Sequence, residues 1–379
     1  AQPAGPAAEV VGEHAAFDAL AGEWAELYDA TPTASPFQSH AWLSAWARAY
    51  VRPGRLRVVL VRSAGRLVAA APLYQDRRGP WPVLTPLGSA LADFSDVLIA
   101  EDGGPQAADA LTQALLGLPG WRVLDLPEVR PDAAAQQWAG SWPGRVTRLD
   151  AATSLELPVG ELADVLSRLP GRSAKVVRRK LRRVDELGVV ATDVAPQDVP
   201  AAVADMLRLH HEQWHGRGMT PEHGSGTFAV HLTEAMEGMV AAGSARITEY
   251  RIDGELLASQ LYVVGHGLVG SYLAGIAPAL REMVDVAALM LREDLRLAVS
   301  LGVPRYSMMR GVEEYKLRWR PEAVVHERLV LARPGPTGGA GFAPAAAARR
   351  AAVLWAKARA PWLRRVAGRL RAPRRDPVG

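Results

Sequence analysis

Gly65-Arg66-Leu67-Val68-Ala69 and Gly254-Glu255-Leu256-Leu257-Ala258 are the two stretches from which the chain is best read. Each begins at a turn, Ala64-Gly65 or Asp253-Gly254, and runs on as the returning arm of a hairpin. Three of the five aligned residues are identical. Around the first, Leu56–Val61 is the outgoing strand and Leu67–Tyr74 its partner. Strands at Val83–Leu87 and Asp96–Ile99, a helix at Pro105–Leu118 and a strand at Arg122–Leu126 then follow. Around the second, a helix at Phe228–Ala241 leads into strands at Ala245–Ile252, Leu256–Val264 and Leu268–Ile276. A helix at Asp285–Leu301 and a strand at Arg305–Met309 complete it. The order helix, strand, turn, strand, strand, helix, strand thus occurs twice, which predicts two copies of one α/β unit.

Two helices are expected ahead of the first hairpin. Phe17, Leu20, Trp24, Leu27 and Tyr28 share one face of a helix over Phe17–Tyr28. Ser39 caps a second that carries Trp42, Leu43 and Trp46, so Trp24, Trp42 and Trp46 belong to the core. Between the copies lie a basic helix, Glu161–Leu187, and another from Val199 to His215. With 379 residues and roughly 100–200 per domain, two domains are expected, over 13–155 and 156–332. A basic Pro/Gly/Ala-rich tail, 333–379, expected to be helical, begins with the linker Arg333–Phe342.

Composition narrows the classes. The absence of cysteine excludes disulfides, thiolate metal sites, iron–sulfur clusters and a cysteine nucleophile, and suits a reducing cytoplasm. No stretch approaches ~18 uncharged apolar residues, so no membrane-spanning helix is expected. Ala1–His14 lacks a basic region followed by an apolar run, so no signal peptide is expected either. The net charge of +4 is uneven: Arg333–Gly379 holds eleven Lys and Arg against one acid, and the remainder is acidic.

The chain resembles the tandem-GNAT acetyltransferase family often labelled CelD-like, a relative of the Fem-type aminoacyl transferases. In the first half the resemblance rests on Ser35-Pro36-Phe37-Gln38-Ser39 with Trp42 and Trp46, Ala71-Pro72-Leu73-Tyr74, and Asp93-Phe94-Ser95-Asp96. In the second it rests on Lys175–Arg183, Leu209-His210 with Trp214 and Gly218, and Ser271-Tyr272-Leu273-Ala274-Gly275. Arg310-Gly311-Val312-Glu313-Glu314-Tyr315-Lys316 and Trp319 complete it. The resemblance covers about residues 15–330 and implies two GNAT-like domains, a cleft near their junction, and transfer of an acyl group from acetyl-CoA or a longer acyl-CoA to an amine. It also implies that Lys316 stabilises developing negative charge.

One departure bears on the donor. A GNAT fold holds the pyrophosphate of acyl-CoA on backbone amides at the helix after its fourth strand, where small residues allow close approach. Here that junction reads Pro278-Ala279-Leu280-Arg281-Glu282-Met283-Val284-Asp285, without glycine and with a carboxylate at the cap. The first-half junction, Glu101-Asp102-Gly103-Gly104-Pro105, has glycines but two acids. Aminoacyl-tRNA is therefore the alternative donor, and a non-catalytic assembly protein for polysaccharide or envelope synthesis the alternative class.

The expected catalytic residues are Lys316, Tyr315 and Tyr272. Lys316 stands against a plain ion pair with Glu313 or Glu314, and the Tyr272 phenol, a proton donor to the leaving group, against a half-buried strand aromatic. The expected substrate-binding residues are His210, Trp214, Arg310, Lys175, Arg179 and Asp93. Arg172, Lys175, Arg179, Arg182 and Arg183 form one helical stripe, read as facing an anionic ligand between the domains. Glu249 is a base by position only, and Asp96 a paired acid or a turn cap. His211-Glu212-Gln213-Trp214-His215 matches H-E-x-x-H, yet the residue where a third ligand belongs is Pro221, so no metal is expected. The acceptor is an amine on a small molecule or glycan. In Ala343–Arg371 arginines alternate with Val353, Leu354, Trp355, Trp362 and Leu363, a pattern suited to tRNA or to peripheral contact with a membrane.

Overall fold

The computed structural model describes residues 5–214, 221–335 and 339–355. Its first half contains β1 (Ala7–Val11), α1 (His14–Asp18), α2 (Ala21–Asp29), α3 (His40–Tyr50), β2 (Leu56–Ser63), β3 (Arg66–Arg78) and β4 (Trp81–Pro86). Then come β5 (Leu98–Ile99), α4 (Gly104–Gly117), β6 (Val123–Val129), α5 (Ala134–Gly140) and β7 (Val146–Pro158). The second half has α6 (Leu162–Ser167), α7 (Gly171–Glu186), β8 (Val190–Asp193), α8 (Val199–Trp214), α9 (Gly226–Ala241), β9 (Ala245–Ile252) and β10 (Glu255–Gly265). It continues with β11 (Leu268–Ile276), α10 (Pro278–Met283), α11 (Val286–Ser300), β12 (Arg305–Arg310), α12 (Glu314–Leu317) and β13 (Glu322–Ala332).

The fold is α/β with a mixed sheet, and its two halves repeat one pairing scheme. β2–β3 and β3–β4 are antiparallel and β4–β6 parallel; likewise β9–β10 and β10–β11 are antiparallel and β11–β12 parallel. Parallel neighbours need a long crossover, and α4 and α11 supply it. The halves then exchange strands. β7, from the first, pairs with β12, while β13, from the second, pairs with β6, and β7 and β13 pair with each other. One sheet of thirteen strands results, ordered β1-β2-β3-β4-β6-β13-β7-β12-β11-β10-β9-β8 with β5 beside β3. The boundary expected at 155/156 falls inside β7.

Both hairpins form where the periodicity places them, and Trp24, Trp42 and Trp46 are buried. One apolar core joins Phe17, Trp42 and Leu60 of the first half to Phe228, Met236 and Leu261 of the second. α3 and α9 approach closely through small residues: a Cβ at Gly238 would sit 2.7 Å from that of Ala41.

Two expectations change. The helix over Phe17–Tyr28 is broken after Asp18, giving α1 and α2. The basic helix over Glu161–Leu187 is two, because Pro170 constrains Leu169 and starts a new helix. Residues 342–355 are helical, as expected of the C-terminal tail, with Phe342 buried against Val83, Val123 and Val330. Residues 356–379 lie outside the described residues.

Candidate active site

β11 and β12 pair only at their starts, Leu268–Gly270 with Arg305–Ser307. Beyond this they diverge, and the gap opens into a cleft of about 2190 Å³ lined also by Asp93 and Glu128 from the first half and by Ala345–Leu354 of the C-terminal helix. Ligands at the carboxyl ends of parallel strands are the general rule for such sheets. The end of β12 is irregular: its register to β7 shifts between Ser307 and Arg310, and Met309 takes φ +57. Gly311 follows at φ +113, where a Cβ would sit 2.4 Å from the Glu313 carboxylate. Only glycine accepts both constraints at little cost.

This turn sets Lys316. The side chain is buried, donates from Nζ to the Arg310 carbonyl at 2.8 Å, and pairs with Glu313 at 2.9 Å. The ion pair weighed against a catalytic role is therefore present, but the ammonium also lines the cleft, and a third N–H remains for a ligand. Tyr315, also in the cleft wall, is 55% exposed.

Arg310 and Asp93 hold each other. The Arg310 backbone N–H donates to Asp93 Oδ2 at 2.9 Å and its Nε to Oδ1 at 2.8 Å, so both join the halves as well as lining the cleft. Behind them lies a buried relay that the sequence analysis missed: Arg310 to Glu128 at 3.6 Å, Glu128 to His326 at 3.3 Å, and His326 to Ser154 at 3.0 Å. Its signal was a histidine at the centre of the β13 stretch.

On another wall, Gly275 lets β11 touch α8, since a Cβ there would sit 2.3 Å from the Met206 carbonyl. His210 consequently donates from Nδ1 to the Ala274 carbonyl at 2.8 Å, leaving Nε2 as the lone-pair nitrogen. Burial lowers its pKa and keeps the ring neutral. His223 stands with ring centres 5.4 Å away, its pKa pushed down to about 4 chiefly by burial. Trp214, 38% exposed, borders the same wall. Of these residues His223 is the one that the sequence analysis did not name.

The inner end of the cleft holds Asp294, an acid on the apolar face of α11 beside Leu291 and Leu295. It accepts from Tyr262 at 2.8 Å, from Gln260 at 2.9 Å and from Tyr306. Burial drives its carboxyl up to about 7 against these hydrogen bonds.

Other expected residues lie elsewhere. Lys175 and Arg179 are exposed on α7 and do not line the cleft, because α7 turns Ala174, Val177, Leu181 and Val184 inward and its cations to solvent. Tyr272 does line it, but its hydroxyl donates to the Leu91 carbonyl at 3.0 Å and burial raises its pKa, so the proton is tied to an inter-half contact. Glu249 pairs with Arg251 at 2.7 Å, outside the cleft. Asp96 accepts from the Ala134 and Ala135 amides at 2.8 and 2.7 Å, as a cap of α5. In the H-E-x-x-H stretch, His211 and Glu212 are exposed and Glu212 pairs with Arg208, while His215 and Gly218 lie outside the described residues. Among the described residues no cluster of three His, Asp or Glu is arranged to hold a metal.

The acyl-CoA cradle does not fit. α10 occupies the junction after β11, and Asp285 fills the N-terminus of α11. Its Oδ1 accepts from the Ala288 amide at 3.1 Å, and Oδ2 from Lys180 at 2.9 Å and Arg318 at 3.1 Å. Burial opposes ionisation of this carboxyl, yet Lys180 and Arg318 hold it below its usual range, so a charged carboxylate stands where a phosphate would sit.

The model of a family described as "Acetyltransferase (GNAT) domain" matches residues 171–317. Among solved structures the chain is similar to FemX, with TM-score 0.60 and 10% identity over 85% of this chain and 96% of that one. It is also similar to L-PGS from Bacillus licheniformis, with TM-score 0.52 and 10% identity over 83% and 91%. A third is the C-terminal domain (DUF2156) of a protein named as a lysylphosphatidylglycerol synthetase from Agrobacterium fabrum, with TM-score 0.50 and 12% identity over 85% and 93%. At these identities the likeness is one of fold. No curated protein matches the chain. Among the described residues no helix is long and apolar enough to cross a membrane.

Proposed function

We propose that the chain is an N-acyltransferase in which a substrate amine attacks an activated acyl carbon directly, within the cleft, without an acyl-enzyme intermediate. The amine nitrogen forms the new C–N bond and the carbonyl oxygen gathers the negative charge. Collapse of that charge breaks the bond to the donor's leaving oxygen. Lys316 is the group placed to stabilise the charge, since a fixed ammonium in a partly desolvated cleft acts more strongly than one in water. Neutral His210, with Nε2 as acceptor, suits the removal of the attacking nitrogen's proton and its return to the leaving oxygen.

For the donor we favour aminoacyl-tRNA over the acyl-CoA that the family resemblance first implied. The observation that carries this choice is Asp285, capping α11 where a pyrophosphate would need bare amides. The exposed cations of α7 support it as a polyanion surface outside the cleft. The acceptor in this reading is an amine on a small molecule or glycan, and the reaction is cytoplasmic.

The test is binding and turnover with the purified chain. We expect charged tRNA to bind with an affinity that falls steeply with salt, and its aminoacyl group to move to a supplied amine. Acetyl-CoA should neither raise the melting temperature nor compete. Saturable acetyl-CoA binding without tRNA binding would reverse the choice of donor.

A further inference from the structure

One part of the cleft wall is built around a single buried charge. Asp294 is 3% exposed, yet it contributes to the cleft wall together with Gln260, Ser271 and Tyr306. The hydrogens of this network run toward it. Tyr250 donates to Gln260 Oε1 at 3.1 Å, and Gln260 Nε2 donates to Ser271 Oγ at 2.5 Å and to Asp294 Oδ1 at 2.9 Å. Tyr262 donates to the same oxygen and Tyr306 to Oδ2. A carboxylate offers about four lone-pair sites, so three donors leave one. The Ser271 and Tyr306 oxygens beside it are acceptors as well, whereas the Gln260 amide is spent within the network.

We infer that this inner end of the cleft binds a primary ammonium carried by the acyl donor, with Asp294 as its counter-charge. An ammonium has three N–H donors, and Asp294 Oδ2, Ser271 Oγ and Tyr306 Oη are three acceptors on one wall. A guanidinium needs a planar pair of acceptors, and a neutral N–H or O–H supplies no charge to balance a buried carboxylate. Burial holds the Asp294 carboxyl up at about 7, and a cation beside it favours the ionised form. The assignment also separates two amines in one reaction. The ammonium on Asp294 stays protonated and cannot attack, while the acceptor amine reaches the carbonyl past His210 and loses its proton there. The identity of the ligand as donor rests on the acyl-transfer reading; the ammonium site itself does not.

Three amides of equal chain length test it: lysinamide and norleucinamide, which are cationic, and neutral hexanamide. Equilibrium binding to the full chain, followed by ligand-observed NMR, needs neither tRNA nor turnover, so it can fail or succeed independently of the donor experiment. We expect at least one cationic amide to bind the wild type ten times or more tighter than hexanamide, and Asp294→Asn to reduce that preference below threefold. Tyr262→Phe removes a donor to Asp294 Oδ1 but keeps the charge and all three proposed acceptors, and should maintain or raise the preference even if the Asn variant fails to fold. Equal binding of cationic and neutral amides, no binding of the cationic pair, or loss of the preference in Tyr262→Phe would each overturn the assignment.

Discussion

Lys316 is buried in a chain whose basic residues are overwhelmingly arginine, and it sits against the cleft with one N–H to spare. Lys316→Ala should lower kcat by about 10²–10³ while shifting Tm by only a few degrees; a variant near the wild-type rate removes Lys316 from the reaction. His210 gives a prediction in pH. Because burial lowers its pKa below the ordinary 6.5, the acid limb of the rate profile should lie under that value and vanish in His210→Gln along with most of the rate. Asp294 acts in the opposite sense on stability. Its carboxyl titrates at about 7 in the folded state against 3.8 when unfolded, so the folded protein keeps a proton that the unfolded chain has lost. That contribution is complete below 3.8 and disappears as the pH rises through about 7. The stability of the wild type relative to Asp294→Asn should therefore shrink between pH 3.8 and about pH 7, and level off above, in urea titrations. A constant difference would place the carboxyl in ordinary surroundings.

The helices carry a second acid response. His231 on α9 is buried against Trp42 of α3, ring centres 4.7 Å apart, and among the described residues neither ring nitrogen has a hydrogen-bond partner. Desolvation lowers its pKa to about 3 from 6.5, so acid protonates the unfolded chain first. Stability should then fall with decreasing pH from 6.5 toward 3, by at most ~1.4 kcal/mol per pH unit. His231→Leu should flatten this limb in thermal melts; an unchanged slope means that other groups cause it. The same α3–α9 contact explains Gly238, because any side chain there would force the two halves apart.

At the scale of the molecule the exchanged strands govern behaviour. Cutting at 155/156 severs β7, strips β13 from β6 and from residues 146–155 of β7, and divides the core shared by Trp42 and Phe228. Fragments 13–155 and 156–332, expressed separately, should lack a cooperative melt, whereas the intact chain should unfold in one calorimetric transition. A fragment that melts cooperatively would show that each half is self-sufficient. The C-terminal helix belongs to this level as well: Arg350 donates to the Ala151 carbonyl on β7, and Val353 and Leu354 border the cleft while remaining largely exposed.

Both hairpins, the crossover helices α4 and α11 and the buried tryptophans were legible in the sequence, because each is encoded by neighbours along the chain, in turn residues and in apolar periods of two or 3.6. Lys316, His210, Arg310 and Asp93 were legible as candidates through the motifs that contain them. β7 and β13 were not, although they are the central strands. Their charged residues are matched by partners distant in sequence, Glu156 with Arg130 and Arg328 with Asp125, and no local window contains both members of such a pair. The basic stripe of α7 looked like a cleft wall until packing turned it outward. Asp294 was not singled out at all, because its three donors, Gln260, Tyr262 and Tyr306, come from strands outside its own helix. Local order is written in spacing along the chain. Which surfaces face each other, and which charges lose their water, is decided only when strands remote in sequence pair.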